Sequence, residues 1–383
     1  MTSSKVRKPF PIHHVNSWRM HRQFLDHPFP SKTILEMIRA IGWIYSPGCS
    51  TPYLSLWSRS SSFKAGDLDK LVFEDKKLIQ LETLRGCTML VPRDQASVAL
   101  RIRTRTFTEL SKQARQQMPI SDPDMEKLKT ALLNALHSGH KTLEQLARLV
   151  PGNLVKDFGP DLKRIGLTNS LTLAINLLRE EGKVLKQQGK KRLDSTEYSF
   201  VLTSNVVPEA DPYNLRMEEA CAQLAAQYFR AEAPARVKDF AWWAGLMAGD
   251  ARTALAAVRS RLDSYQDGSR TFWFPDNEPP PTGRSATPPQ VDLIQCFDEL
   301  IISYSESRDM LHTEDVSFRT PLNTDGYRHV VVLEGRLLGH WRVNGAGQPA
   351  SIETRLARQL EPSESPLLAE AVESYRIFAT SSD

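Results

Sequence analysis

The chain has 383 residues, 40% of them hydrophobic and 25% charged, which is too long for one ordinary core and too apolar for a disordered chain. No apolar run reaches bilayer-spanning length, and the four scattered cysteines, Cys49, Cys87, Cys221 and Cys296, form no CxxC pair, which argues against a membrane-embedded or disulfide-stapled protein. Net charge is only +4, yet residues 1–115 carry 19 Lys/Arg against 9 Asp/Glu, residues 116–205 carry 13 against 10, and residues 206–383 carry 17 against 26. A basic front and an acidic rear predict a polyanionic partner for the first two thirds of the chain. The polar opening MTSSKVRKP and the free thiols lead us to expect a cytoplasmic protein without a membrane partner.

Residues 1–16 read as a basic arm, followed by a short helix carrying Arg19, His21 and Arg22. His13, His14, His21 and His27 match no zinc spacing, so no metal is expected. Ile34, Leu35, Ile38 and Ile41 recur at helical spacing, with Ser31 as the expected cap and Gly42 as the stop. A short extended passage, Trp43 to Pro47, leads to a helix that Ser50 or Thr51 can cap, with Pro52 at its first position and Tyr53, Leu54, Leu56 and Trp57 on its apolar face. Residues 67–81 read as one helix or two short ones, and residues 81–92 as strand around Gly86. Asp94 can cap the next helix, which carries Arg101, Arg103 and Arg105, with 101 and 105 sharing a face.

From Asp122 the pattern becomes three helices, the second capped by Thr142 and the third beginning at Thr168. Two strands follow, 182–188 and 196–203, joined by a loop with Lys190, Lys191 and Arg192 at its tip. Three helices and a hairpin form a winged-helix pattern, with the basic tip as a phosphate-contacting wing. The plan repeats in helices 215–231, 234–246 and 250–262, then a hairpin around Asp267-Gly268. Trp242 and Trp243 can stack on bases or fill a core. Six prolines in residues 275–289 mark a loop. A hairpin around Glu334-Gly335 and a helix over 367–378 complete a β-rich end.

PYLSLWSR at 52–59, DFAWWAGL at 239–246 and FDELIISY at 297–304 together resemble the AlkZ/YcaQ group of winged-helix DNA glycosylases, which excise crosslinked or alkylated bases. LETLRGCTMLVPRD (81–94) and the late Gly335-x3-Gly339-x-Trp341-Arg342 strand pair carry the same resemblance across residues 17–380. It implies an α+β protein: three tandem winged-helix units (17–120, 121–205 and 206–274), then the Pro-rich loop and a β-rich, barrel-like C-terminal domain (290–383) with a terminal helix.

Base excision breaks the bond between a base and C1′ of deoxyribose, and a carboxylate or amide must hold water near the cationic sugar. In that group, a Gln-apolar-Gln or Gln-apolar-Asp triplet precedes the PYL helix, and a Thr-x-His pair follows the Arg-Gly. Here the triplet aligns with Ile44-Tyr45-Ser46, or with Trp43-Ile44-Tyr45, and the pair with Cys87 and Met89. None of these is Gln, Asp, Glu or His, so excision by the family's route is not expected. Asp298, Glu299, Glu82 and Gln80 are the polar groups open to a relocated role.

The sequence therefore predicts a monomeric, repair-related protein that binds duplex DNA, intact or damaged, on a glycosylase-like scaffold. Arg101, Arg103, Arg105, Lys190, Lys191 and Arg192 are the expected DNA contacts. No cofactor is expected, since the chain has no P-loop, no GxGxxG after a strand and no HExxH. An active glycosylase with relocated machinery is one alternative and a transcriptional regulator another. Single-chain tandem units fit the regulator less well, because such proteins usually dimerise on paired half-sites.

Overall fold

The computed structural model describes residues 13–27, 29, 33–106, 120–160, 163, 168–278, 289–305, 307, 311, 328–344 and 351–380. Helix α1 (His13–Arg22) is followed by α2 (Ile34–Ile41), which buries Met37, Ile38 and Ile41. Thr33 caps α2 by accepting the Glu36 N–H; the expected cap Ser31 lies outside the described residues. Gly42, at φ 97°, ends the helix in backbone that a side chain would strain. After the extended β1 (Ile44–Tyr45) come α3 (Thr51–Trp57), every residue of which is buried, and α4 (Ala65–Phe73).

The helix expected over 67–81 is only half present. It ends at Phe73, Lys76 turns the chain at φ 53°, and β2 (Leu78–Glu82) pairs antiparallel with β3 (Thr88–Pro92). Leu78, Ile79, Gln80 and Leu81 are all buried. Consecutive burial needs cover on both faces of the backbone, which a one-sided helical stripe does not provide. Arg85 and Gly86, both at positive φ, form the turn of this hairpin, and α5 (Ala96–Thr106) follows it.

The next elements follow the sequence pattern closely. Ser121 caps α6 (Asp122–Leu136), and Thr142 with Gln145 forms a capping box on α7 (Leu143–Leu149). Asn169, one residue beyond the expected Thr168, caps α8 (Ser170–Glu180). Leu128, Leu132, Leu146, Leu171, Ala174 and Leu178 pack together beneath β4 (Val184–Gln188) and β5 (Tyr198–Leu202).

Then come α9 (Thr203–Val206), α10 (Met217–Ala231), α11 (Val237–Ala244), α12 (Ala248–Val258) and the hairpin β6 (Leu262–Asp267) and β7 (Arg270–Pro275). Trp243 on α11 is buried, whereas Trp242 is 36% exposed.

The C-terminal region holds β8 (Val291–Ile294), α13 (Glu299–Ile302), β9 (His329–Leu333), β10 (Arg336–Asn344), β11 (Ser351–Leu356) and α14 (Ser365–Thr380). Its four strands form an antiparallel sheet in the order β11-β10-β9-β8. The barrel-like expectation is therefore corrected: among the described residues this sheet is open, with β8 and β11 as its edges. Four strands are too few to close around a filled interior, which takes about eight. One face is covered by α14 instead, where Tyr375 meets Trp341 and Trp57 edge-on at 5.5 Å.

The described residues form two compact units. One takes those up to Tyr45, Ser50–Glu74 and those from Cys221 onward; the other takes Ser46–Cys49 and Asp75–Ala220. Among the described residues, no helix is long and apolar enough to cross a membrane.

Candidate functional site

The first unit is held by a buried polar network built from the motifs that stand out in the sequence. Arg59, the last residue of PYLSLWSR, donates to both carboxylate oxygens of Asp298 at 2.8 Å, to Gln23 Oε1 at 3.0 Å and to the Ser55 carbonyl at 2.7 Å. Asp298 also caps α13 by accepting the Leu300 N–H at 3.1 Å. Arg19 lies 3.6 Å from the centre of the Tyr304 ring and donates to Ser307 Oγ at 2.6 Å. Asp239 accepts from Ser307 Oγ at 2.7 Å and from the Ser305 N–H at 3.1 Å. The Tyr304 hydroxyl donates to the Glu232 carbonyl at 2.9 Å. A fully buried carboxylate ligated in this way locks elements together.

Glu299 sits beside this pair. It accepts the Tyr45 N–H at 3.1 Å and the Ser303 hydroxyl at 3.2 Å. Burial, helped by the Asp298 charge, pushes its pKa up to about 8. Burial also raises Glu232 well above the usual carboxylate range, with the Glu299 charge adding to the shift. Ile44 is fully buried, and the Tyr45 ring packs 5.0 Å from Phe297, which is 41% exposed.

In the second unit, Ser46 follows the extended passage and is buried. Its N–H donates to the Thr88 carbonyl at 2.8 Å. Gln80, from the middle of β2, donates through Nε2 to the Ser46 carbonyl at 2.8 Å and to Ser46 Oγ at 3.1 Å. The loop continues through Gly48 at φ 91°, where a Cβ would lie 2.1 Å from Gln188 Nε2 at the end of β4. That atom is the end of a flexible side chain and can shift, so it is the left-handed φ that favours glycine here. On the hairpin, Gln80 and Glu82 register with Leu90 and Thr88. Met89 registers with Leu81 and is buried on the opposite face. Cys87 is half-buried at the turn.

Glu82 pairs with Arg103 at 2.6 Å and also with Arg179. Arg103 is 2% exposed, donates to the Arg179 carbonyl at 2.7 Å, and is pushed by burial to a pKa of about 10. Arg101, on the same helix, is partly exposed; the side chain of Arg105 lies outside the described residues. Lys190 and Lys191 are exposed at the tip of the β4–β5 loop, both at positive φ. Lys190 pairs with Glu197 at 2.7 Å and Arg192 with Asp194 at 2.9 Å.

The structure thus brings Ser46 together with Gln80, and Asp298 with Arg59. It sets Glu82 against Arg103 and gives Lys190 and Arg192 ion pairs within their own hairpin. Arg59, Arg179 and Glu232 escape a reading of the sequence as network members, because their partners lie far along the chain and leave no local pattern. His21, Asp26 and His27 also converge. The Asp26 carboxylate lies against both imidazoles, 3.2 Å from His21 Nδ1, and this hydrogen bond raises the His21 pKa.

The conspicuous motif residues of the chain are largely built into its interior. The structure matches DNA glycosylase AlkZ of Streptomyces sahachiroi with a TM-score of 0.70 at 15% identity, covering 98% of each chain. The model of the AlkZ-like DNA glycosylase family matches residues 38–378, and the chain belongs to that family. No curated protein matches the chain in sequence. The family gives no support to the transcriptional-regulator alternative.

Proposed function

We propose that this protein binds duplex DNA as a repair-related member of its family, acting as a monomer in the cytoplasm without a metal or cofactor. Residues 17–120, 121–205 and 206–274 are three tandem winged-helix units, each of which binds DNA. The hairpin β4–β5, following α6, α7 and α8, serves as the wing of the second. Lys190, Lys191 and Arg192 at its tip and Arg101 on α5 contact phosphate. Membership of a DNA glycosylase family along residues 38–378 carries the reading, and the basic balance of residues 1–205 supports it. Base excision does not run through the family's triplet, because Ile44 is buried and apolar and Tyr45 and Ser46 are poor bases at neutral pH.

Duplex binding measured against salt tests this proposal. The logarithm of the binding constant should fall against the logarithm of salt concentration with a slope of about −0.9 per phosphate contacted. Absent binding, or binding indifferent to salt, would refute it. A second reading, excision by relocated groups, is favoured by the Gln80 carboxamide, whose Oε1 is buried with no hydrogen-bond partner among the described residues.

A further inference from the structure

Helix α1 ends in a turn that brings three metal-capable side chains together. Phe24 takes the left-handed conformation at φ 53°, at the position past a helix end where glycine is usual. The Leu25 N–H donates to the Met20 carbonyl at 2.9 Å and the Phe24 N–H to the His21 carbonyl at 3.1 Å, the paired bonds of a Schellman cap. The chain, reversed in this way, carries Asp26 and His27 back to His21. Leu25 packs in one buried cluster with Met20 and Ile294, and Gln23 donates to the Ala231 carbonyl at 3.0 Å, so the turn is fixed from beneath.

One carboxylate oxygen of Asp26 faces His21 Nδ1 at 3.2 Å, and the other faces His27 Nδ1. The two imidazoles stack with centroids 4.3 Å apart and planes inclined by 27°. One ligand atom from each of the three residues lies within 4.8 Å of the other two. Two ligands at about 2.0–2.2 Å from a tetrahedral ion stand about 3.3–3.6 Å apart, so the three atoms need move little to share one. Arg22, the neighbouring cation, is taken up by the Arg230 carbonyl at 2.8 Å and by Glu278.

We propose that His21, Asp26 and His27 bind one zinc-type divalent cation, with water completing its coordination. Neutral imidazole and carboxylate are ligands that such ions take. His21 is exposed and the other two are partly buried, so the ion enters from solvent and keeps room for that water. It replaces the protons held between each Nδ1 and the carboxylate, and it fastens the end of α1 to the chain leading to α2. The duplex binding proposed above needs no metal and is independent of this site. Histidine spacing alone does not reveal the site, because Asp26 completes it and the turn at Phe24 assembles it.

Titration calorimetry of zinc chloride into the metal-stripped full chain tests this, beside His21→Ala, Asp26→Asn and His27→Ala. A double variant, His13→Ala with His14→Ala, controls for histidines earlier in the chain. Expected is one equivalent bound by the parent and by the double variant, with affinity lower by at least about tenfold in each of the other three. Zinc should raise the melting temperature of the parent and leave those three unchanged. Millimolar magnesium should not compete, since it prefers oxygen ligands and holds its waters. His21 is exposed, so His21→Ala reports on the site even if a change at the more buried positions unsettles the turn. A parent that binds no zinc, or a His21→Ala chain that binds it undiminished, overturns the proposal. Loss of binding in the double variant overturns the ligand set, and displacement of zinc by magnesium overturns the class of ion.

Discussion

Arg59 and Asp298, 239 positions apart in sequence, face each other through two parallel hydrogen bonds of 2.8 Å, both side chains buried. Removing one partner leaves a buried charge without its counterion, which commonly costs about 3–5 kcal/mol. Asp298→Ala should therefore lower urea-unfolding stability by about that amount. A paired replacement, Arg59→Met with Asp298→Leu, should recover part of the loss.

The basic tip of the β4–β5 loop gives a second expectation. Changing Lys190, Lys191 and Arg192 together to Glu should flatten the salt dependence of duplex binding. The change should be smaller than three full phosphate contacts, because Lys190 and Arg192 already lie beside Glu197 and Asp194. An unchanged slope removes this loop from the DNA surface.

Arg101 and Arg103 should separate cleanly. Arg103 is buried against Glu82. Arg103→Met should lower stability and leave the salt slope alone. Arg101→Gln should lower the slope by about one contact. Urea unfolding and fluorescence anisotropy on the two variants decide this.

Buried carboxyls predict a pH response. Burial sets Glu299 at about 8 from an ordinary 4.5, and Asp292 at about 8 from an ordinary 3.8. Between those values the folded chain holds protons that the unfolded chain has lost, so stability falls as pH rises and levels off above about 8. The melting temperature should be lower at pH 8 than at pH 6, and Glu299→Gln should flatten the difference. A melting temperature that rises across this range contradicts the assignment.

Much of the architecture is legible in local chemistry. The hairpin turn at Glu334-Gly335 and the capping box at Thr142 rest on residues within a few positions of each other, and both are present. The strand at 78–82 reads as helix in the sequence because its run of buried residues has no distinctive period. The site is harder to read than the fold. PYLSLWSR and FDELIISY are conspicuous in sequence, yet Arg59 and Asp298 stabilise the interior through each other. Gln80 is recognisable as a polar residue in an apolar stretch, but its bond to Ser46, 34 positions away, leaves no trace in spacing.

The first unit is discontinuous along the chain, and this has a consequence during synthesis. Asp298 is made long after Arg59, and at about 5–20 residues per second the ribosome takes about 10–50 s to bridge that interval. Throughout it the guanidinium destined for the interior has no counterion, while residues 75–220 are completed and become free to fold before residue 298 is added. Nascent chains stalled before codon 298 should thus carry one finished body and one unfinished one, and the unfinished one is where a chaperone would find its grip.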